Sequence, residues 1–362
     1  MTVYLILIVL VWLFGVGFKA NRSISGRKIF VWISFLMMTV ISCFRDVSVG
    51  VDTKYYVNIF QNISIYNFAI SRYEIGFLYF LKAVHFISDD PYFLLTVCSI
   101  ICIGIPCIFI YRHSEDVVLA MLLYIVLKSY FSQMTLIRQA LATVFVMEAF
   151  SILLRGRNTK RIVLSVCFIL LGASFHTLAV TAFIPFVIMI WPKLNYKIKP
   201  APILKWSILL MIIVFVFYPF VMRLVSLVVP QYAVYFSGRW SDSNYSASLF
   251  KLLIQLVFLI VGIIYIREKE ILSDEDRLSL IMLMLSVVTL TLSMRMEIWG
   301  RLAGLFSCYT AVLWAPSFTS CIKDVKNRMA VKSSVFLFSF AYMLVTFIFR
   351  PGWDGVVPYL FR

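Results

Sequence analysis

FRDVSVGVDTKYYVNIFQNISIYNFAISRYE, at residues 44–74, is the longest polar interruption in the N-terminal half of this chain. It separates two apolar segments. A loop that only connected two helices could be short and neutral, and this one is neither. Ionisable residues beside apolar segments of this kind usually mark a binding site or a pathway. We therefore expect the stretch to form one wall of a functional site. Its charged side chains are Arg45, Asp46, Asp52, Lys54, Arg72 and Glu74.

The chain as a whole is strongly apolar: of its 362 residues, 62% are hydrophobic and 14% are charged, and the mean hydropathy is +0.95. Soluble globular chains are nearer half apolar and a quarter charged. Its apolar runs of about 15 to 22 residues are long enough for helices to cross a bilayer core of about 30 Å. Outer-membrane barrels are excluded because their strands alternate in short segments. The sequence therefore predicts an all-α fold, a polytopic transmembrane helical bundle that forms one integral membrane domain over residues 1–362.

The net charge of +16 has a simpler explanation than nucleic-acid binding, because cytoplasmic loops of membrane proteins carry an excess of Lys and Arg. We expect no nucleic-acid partner. The seven cysteines lie almost all in apolar segments and form no CxxC pair beside a histidine. We interpret them as packing residues and expect neither a metal site nor a cofactor.

Two segments decide how often the chain crosses the membrane. Glu74–Ile87 is an apolar run of only 14 residues, which is short for a span and favours a re-entrant or interfacial helix. Ile162–Ile190 is about twice that length and is either one long tilted helix or two short helices that meet at His176. The neighbouring Gly172 and Ser174 favour the break.

Loop charge supports one reading of these two segments. If Glu74–Ile87 does not cross and Ile162–Ile190 crosses twice, the loops on one side hold about 20 of the 33 Lys and Arg residues, as the positive-inside rule expects. Either alternative moves a strongly basic loop to the outer side. We therefore predict about 12 crossings with both termini outside. We also predict an outer loop over residues 45–90, which contains the short helix near 74–87, and a second outer loop over residues 223–248.

This topology leaves a set of arginines on the outer side, where the rule disfavours cations. The planar guanidinium binds phosphate or carboxylate through two parallel hydrogen bonds. The alternative is that each arginine extends its charged head to the outer lipid headgroups, which suits Arg72 and Arg223 better than the others. The set comprises Arg45, Arg72, Arg138, Arg223, Arg239, Arg295 and Arg301.

Residues that could move a proton lie on the same side. One carboxylate or imidazole can take a proton from an attacking hydroxyl, and cations can stabilise a diphosphate as it leaves. The candidates are Asp52, Glu74 and His176, of which His176 lies at the expected helix break. The chain contains no Gly-rich phosphate loop and no HExxH motif. Outer arginines with few carboxylates and several aromatic residues therefore indicate a site for sugars and pyrophosphate.

Four short motifs follow one another within residues 40–185, and together they resemble the EpsG family of bacterial polysaccharide-synthesis proteins. This family is similar to the Wzy-type O-antigen and capsule polymerases. In the C-terminal half the resemblance is carried by Arg239, Arg301 and Tyr309. The four motifs are RDVSVGVDTKY (residues 45–55), EIGF (74–77), IRQALA (137–142) and SFHT (174–177).

The resemblance implies a polymerase at the outer face of the bacterial cytoplasmic membrane. It would join oligosaccharide repeat units that are carried on undecaprenyl pyrophosphate, and the growing chain would pass from its lipid carrier to the next lipid-linked unit. The implied partners are that substrate, membrane lipid, and the chain-length regulator and flippase of the same pathway. The resemblance leaves open the sugars and the identity of the base.

Within this reading, His176, Asp52 and Glu74 are the catalytic candidates. We rank His176 first because a hinge within the membrane lets it face the cavity, and because imidazole changes charge near neutral pH. Arginines are expected to bind pyrophosphate, and two further polar side chains are expected to orient sugar hydroxyls. The predicted substrate-binding residues are Arg45, Arg138, Arg239, Arg295 and Arg301 for pyrophosphate, and Tyr55 and Gln139 for the sugar.

Two other functions remain open from the sequence. One is a transporter, such as a flippase for the same lipid-linked unit, although transporters often show internal repeats. No clear repeat relates the two halves of this chain, and its outer charges cluster toward one face, which favours an enzyme. The other is a glycosyltransferase that adds a single sugar from a polyprenyl-phosphate donor, which the acidic residues of the first outer loop also suit.

Overall fold

The computed structural model describes residues 1–68, 71, 73–191, 200–228, 245–266, 269, 272–296 and 298–362. Secondary structure over these residues is helical, apart from one isolated antiparallel bridge between Arg45 and Phe361. The chain divides into two compact units, which are Met1–Ile190 with Met329–Arg362, and Trp191–Arg328. The single domain over residues 1–362 stays a prediction.

The first unit contains most of the short motifs. Several of its helices begin at a side chain that accepts a hydrogen bond from the first turn, as Ser23, Asp90, Asp116 and Asn158 do. Its helices are α1 (Thr2–Gly17), α2 (Ile24–Cys43), α3 (Thr53–Gln61), α4 (Ile75–Ile87), α5 (Pro91–His113), α6 (Val117–Val126), α7 (Ser129–Thr135), α8 (Ile137–Leu154), α9 (Thr159–Phe175), a 3-10 helix (Thr177–Ala182), α10 (Phe183–Ile190) and most of α17 (Val325–Phe349).

The second unit is helical over the residues described. Its strongest start signal is Ser273, whose hydroxyl accepts from Asp276 N–H while the Asp276 carboxylate accepts from Ser273 N–H. Its elements are α11 (Pro200–Val216), α12 (Tyr218–Val228), α13 (Tyr245–Ile266), α14 (Asp274–Ser293), α15 (Ile298–Tyr309), a π-helical turn (Thr310–Trp314) and α16 (Ala315–Ser320).

The chain is a helical membrane protein. Seven helices in the described part are long and apolar enough to cross a bilayer, or eight if the bent pair α6 and α7 forms one span. Four shorter apolar helices accompany them, at Thr2–Gly17, Ile75–Ile87, Thr177–Ile190 and Lys205–Val216. The predicted count of about 12 crossings is therefore not confirmed by helix length and composition.

Two local predictions are confirmed. The run after Glu74 forms a separate short helix, α4, and the long run after Ile162 breaks at His176, where α9 ends and the 3-10 helix begins. Whether α4 is re-entrant or interfacial stays a prediction. The Arg239 position and residues 229–244 of the predicted second outer loop lie outside the described residues.

The apolar run Val117–Met134 is long enough to be one span, but it is not one continuous helix. The helix is interrupted between α6 and α7, which meet at a bend of 46°. Lys128 occupies the break with a left-handed backbone, at φ 72°. Its ammonium group is buried, 2.6 Å from Asp354 Oδ2, and lies over the ring of Tyr342. A buried lysine needs a partner of opposite charge, and the break brings Lys128 to one in the C-terminal tail.

The C-terminal tail lies against the loop that follows α2. Asp46 N–H donates to the Leu360 carbonyl at 2.8 Å, and Gly50 N–H donates to the Gly355 carbonyl at 2.8 Å. Gly50 has φ +100°, and a side chain there would meet the Met134 carbonyl oxygen at 2.5 Å. The tail thus pairs with the first part of the polar loop, at the end of α7.

Helix α4 touches the end of α9 at a glycine. A Cβ added at Gly76 would lie 2.7 Å from both the carbonyl oxygen and Cβ of Ser174. We expect Gly76→Ala to lower the free energy of unfolding by about 2 kcal/mol, because a packed backbone contact cannot take up a methyl group. Thermal unfolding of the purified protein in detergent measures this.

Gly17→Ala is the matched control, because no atom lies within 4 Å of a Cβ at Gly17. It should leave the midpoint of unfolding unchanged or raise it slightly, since alanine favours helix. Equal midpoints for Gly76→Ala and wild type would contradict the close contact between α4 and α9.

The ion pair in the helix break gives a second stability prediction. Asp354→Asn should destabilise the protein by about 3 kcal/mol, because it leaves the Lys128 charge buried without its counter-charge. Adding Lys128→Met to the same chain should restore part of the loss. Asp274→Asn is the control, since the Asp274 side chain is 40% exposed beside Arg277 and surface pairs contribute little. A loss no larger than that of the control would refute the prediction.

Candidate functional site

The carboxylate of Glu74 is the meeting point of three of the four motifs. Glu74 Oε2 forms an ion pair with Arg138 Nη1. Glu74 Oε1 accepts hydrogen bonds from the backbone N–H of Thr177 at 2.8 Å and from its hydroxyl at 2.9 Å. His176 Nδ1 lies 3.9 Å from the same oxygen. The structure thus brings together three of the predicted site residues, Glu74, Arg138 and His176.

Local structure explains why these groups converge. Glu74 immediately precedes α4, Arg138 lies in the first turn of α8, and Thr177 begins the 3-10 helix. The first N–H groups of a helix have no partner within it, and the positive end of the helix dipole attracts a carboxylate. The break after α9 therefore creates the donor that holds Glu74, and the contact between Gly76 and Ser174 brings the carboxylate within reach.

Arg138 is held on two sides. One edge of its guanidinium is paired with Glu74, and its face lies 5.1 Å from the ring centre of Tyr73. Tyr73 in turn packs against Tyr56 and Phe77, with ring centres 6.4 and 6.3 Å away. The Arg138 side chain keeps 14% of its surface exposed. Its orientation is therefore set by the protein, while a small part of the side chain remains accessible.

His176 also serves the local fold. Its Nδ1 accepts a hydrogen bond from Leu178 N–H at 3.2 Å, which caps the 3-10 helix. The imidazole is 8% exposed. Gln139, beside Arg138 in α8, is buried. By contrast Tyr55, in α3, is 64% exposed, and Asp52 is half-buried where α3 begins.

Arg45 is placed differently from the other predicted pyrophosphate ligands. It is 1% exposed, and its guanidinium donates to the Ser42 hydroxyl at 2.7 Å and to the Met134 carbonyl at 3.5 Å. Ser42 also accepts through its carbonyl oxygen. Burial lowers the pKa of the Arg45 guanidinium from its ordinary value. The side chain contacts the ends of α2 and α7, and a direct contact with substrate stays a prediction.

The predicted arginines of the C-terminal half belong to the second unit. Arg295 is exposed, with its guanidinium 4.4 Å from the ring centre of Phe215. Arg301 is exposed in α15. Arg239 lies outside the described residues. Their roles stay predictions.

Two residues of the cluster, Thr177 and Tyr73, had no predicted role. Thr177 directly follows His176 in the SFHT motif, and the signal was its position after the expected helix break. Tyr73 directly precedes Glu74, but an aromatic residue in a chain that is 17% aromatic carries little information by itself. Both are identified by contact with Glu74 or Arg138, which the local pattern does not reveal.

The arrangement offers donors to a ligand more readily than it offers a base. Both oxygens of Glu74 are already engaged, one by Arg138 and the other by Thr177. Arg138 has a fixed guanidinium on a partly exposed side chain, and a guanidinium suits a phosphate or another oxyanion. The cluster can therefore bind and orient an anionic group.

The pair of Glu74 and Arg138 can be tested by a double-mutant cycle on stability. Glu74→Gln and Arg138→Met should show a coupling energy of about 2 kcal/mol, because each single variant leaves a half-buried partner unpaired. The control cycle uses Glu148→Gln and Arg155→Met, whose side chains are 18% and 44% exposed and should couple by less than about 1 kcal/mol. Additive effects of the Glu74 and Arg138 variants on thermal unfolding would contradict the described pair.

Comparison with known proteins places the chain in a family. No curated protein and no solved structure matches the sequence. A family model, that of the EpsG family, matches residues 28–361, which is nearly the whole chain and includes all the motifs described above. The protein therefore belongs to the EpsG family, which is associated with Wzy-type polysaccharide polymerases.

Proposed function

We propose that this protein is a glycosyltransferase that polymerises oligosaccharide repeat units at the outer face of the bacterial cytoplasmic membrane. Its substrate would be a repeat unit linked to undecaprenyl pyrophosphate, from which O-antigen, capsule or exopolysaccharide is built. Membership of the EpsG family and the set of membrane-spanning helices support this proposal. In each cycle the growing chain leaves its pyrophosphate carrier and is transferred to a hydroxyl of the next lipid-linked unit.

The observation that carries the proposal is the position of Arg138. Its guanidinium is oriented by the ion pair with Glu74 and by the ring of Tyr73, and the side chain remains partly exposed. A cation fixed in this way can bind a pyrophosphate and stabilise the charge that develops on it as the sugar bond breaks. Preorganisation matters because a mobile arginine would lose side-chain entropy when the substrate binds.

The remaining predicted residues keep their proposed roles. Asp52, Glu74 and His176 are the candidates for handling the proton of the acceptor hydroxyl. Exposed Tyr55 suits contact with a sugar, with Gln139 as a second polar group. In addition to Arg138, the proposed pyrophosphate ligands are Arg45, Arg239, Arg295 and Arg301.

The proposed topology follows from the same function. About 12 crossings would result if the bent pair α6 and α7, helix α9 and the shorter apolar helices other than α4 also span. The outer loop over residues 45–90 would then carry α4 and Glu74 on the outer side. Lipid surrounds such a bundle, and a chain-length regulator and a flippase of the same pathway are proposed partners. No cofactor is proposed.

Polymer length in cells tests the function. A strain that lacks this gene should accumulate single repeat units on the outer side of the membrane, and the wild-type gene should restore long chains. Arg138→Ala should reduce polymerisation by about 100-fold or more, because it removes a fixed charge donor. Gel electrophoresis of the extracted polysaccharide measures chain length.

Arg22→Ala is the matched control, because Arg22 is exposed in the loop between α1 and α2. It should support normal chains at equal protein level. Normal long chains from a well-expressed Arg138→Ala variant would refute the role of Arg138. Units that accumulate inside the cell would instead indicate a flippase, and the loss of one sugar from an otherwise complete polymer would indicate a single-sugar transferase.

A further inference from the structure

Two neighbours of His176 compete for the same ring nitrogen. Leu178 N–H points at Nδ1 from 3.2 Å, and Glu74 Oε1 lies 3.9 Å from Nδ1. A backbone N–H can only donate, so the first contact needs a lone pair on Nδ1, whereas an ion pair with Glu74 needs a proton there. The distance to Leu178 is within hydrogen-bond range and the distance to Glu74 is beyond it. Nδ1 is therefore the acceptor.

Glu74 has little capacity left to draw a proton onto His176. Its Oε1 accepts two hydrogen bonds from Thr177, and its Oε2 is paired with Arg138. Protonation of Nδ1 would also place two donors against each other, the ring N–H and Leu178 N–H. The neutral ring then carries its hydrogen on Nε2. Nε2 can therefore act only as a hydrogen-bond donor.

We infer that His176 acts on the substrate as a hydrogen-bond donor through Nε2–H, toward a phosphate oxygen of the lipid-linked pyrophosphate, and not as the base that removes the acceptor proton. The identity of that substrate rests on the proposed function. Arg138 is a second donor beside the same carboxylate, and two donors favour an oxyanion. Glu74 is then a positioning residue that acts through Arg138, and Asp52 remains as the candidate base.

Two substitutions separate the two nitrogens of His176. His176→Asn keeps an oxygen that can accept from Leu178 N–H, as asparagine does at helix starts, but has nothing at the place of Nε2. His176→Gln places an amide N–H near the position of Nε2. Its longer side chain accepts the hydrogen bond from Leu178 N–H less well than asparagine does. The full-length variants are purified and mixed with membranes of the gene-deletion strain, which carry the accumulated lipid-linked repeat units.

The donor role predicts that stability and activity rank the variants in opposite order. His176→Asn should unfold near the wild-type temperature and polymerise at least about 100-fold more slowly. His176→Gln should unfold at a lower temperature yet polymerise within about tenfold of wild type. Equal loss of activity in the two folded variants, or higher activity of His176→Asn, would overturn the donor role. A purely structural role would make activity follow stability.

The tautomer is measured independently of activity. The chain has three histidines, so imidazole nitrogen spectra of labelled protein near neutral pH are simple, and His176→Asn identifies the signals of His176. The inference requires an unprotonated Nδ1 and a protonated Nε2. A protonated Nδ1 would refute it even if the protein polymerises sugars. If wild-type protein does not extend the repeat units, the proposed function fails, and the contact with pyrophosphate fails with it.

Discussion

The ion pair and hydrogen bonds of the Glu74 carboxylate are the constraint on which the rest of the site depends. A carboxylate removed from water is costly unless it is paired, and this one is satisfied by Arg138 and twice by Thr177. These partners come from the start of α8 and from the break after α9. The loop before α4 and that break must therefore stay in register, because a shift of either leaves a charge unpaired. The close approach of Gly76 to Ser174 allows this register.

The need to pair a buried charge also distinguishes the cations Arg45, Lys128 and Arg138 from one another. Arg45 donates to groups at the ends of α2 and α7, where carbonyl oxygens form the negative ends of helix dipoles. Lys128 forms an ion pair with Asp354, and its ammonium group lies over two aromatic rings. The partners of both cations lie within the protein, and these contacts hold chain segments together. Arg138 differs because its partners fix it while part of its surface remains exposed, and this makes it the better candidate for an anionic ligand.

Local signals accounted for much of this arrangement. The short run after Glu74 predicted a separate helix, and small and polar residues predicted the break at His176; both depend on run length and on residues within one or two turns. The bend between α6 and α7 was missed because apolar residues lie on both sides of Lys128, so the run reads as one span. Its cause, a counter-charge at Asp354, lies in the C-terminal tail, and no pattern within the run indicates such a distant partner.

The sequence by itself determined that this is a helical membrane protein of the EpsG family and which motifs carry its charged residues, because hydrophobic run length and residue type are local properties. Only the tertiary structure decided how these residues are used. It set Arg45 against helix ends, and Arg138 against Glu74 and Tyr73. Residue type does not specify these pairings, since a hydrogen bond or ion pair depends on tenths of an ångström between segments that are distant along the chain.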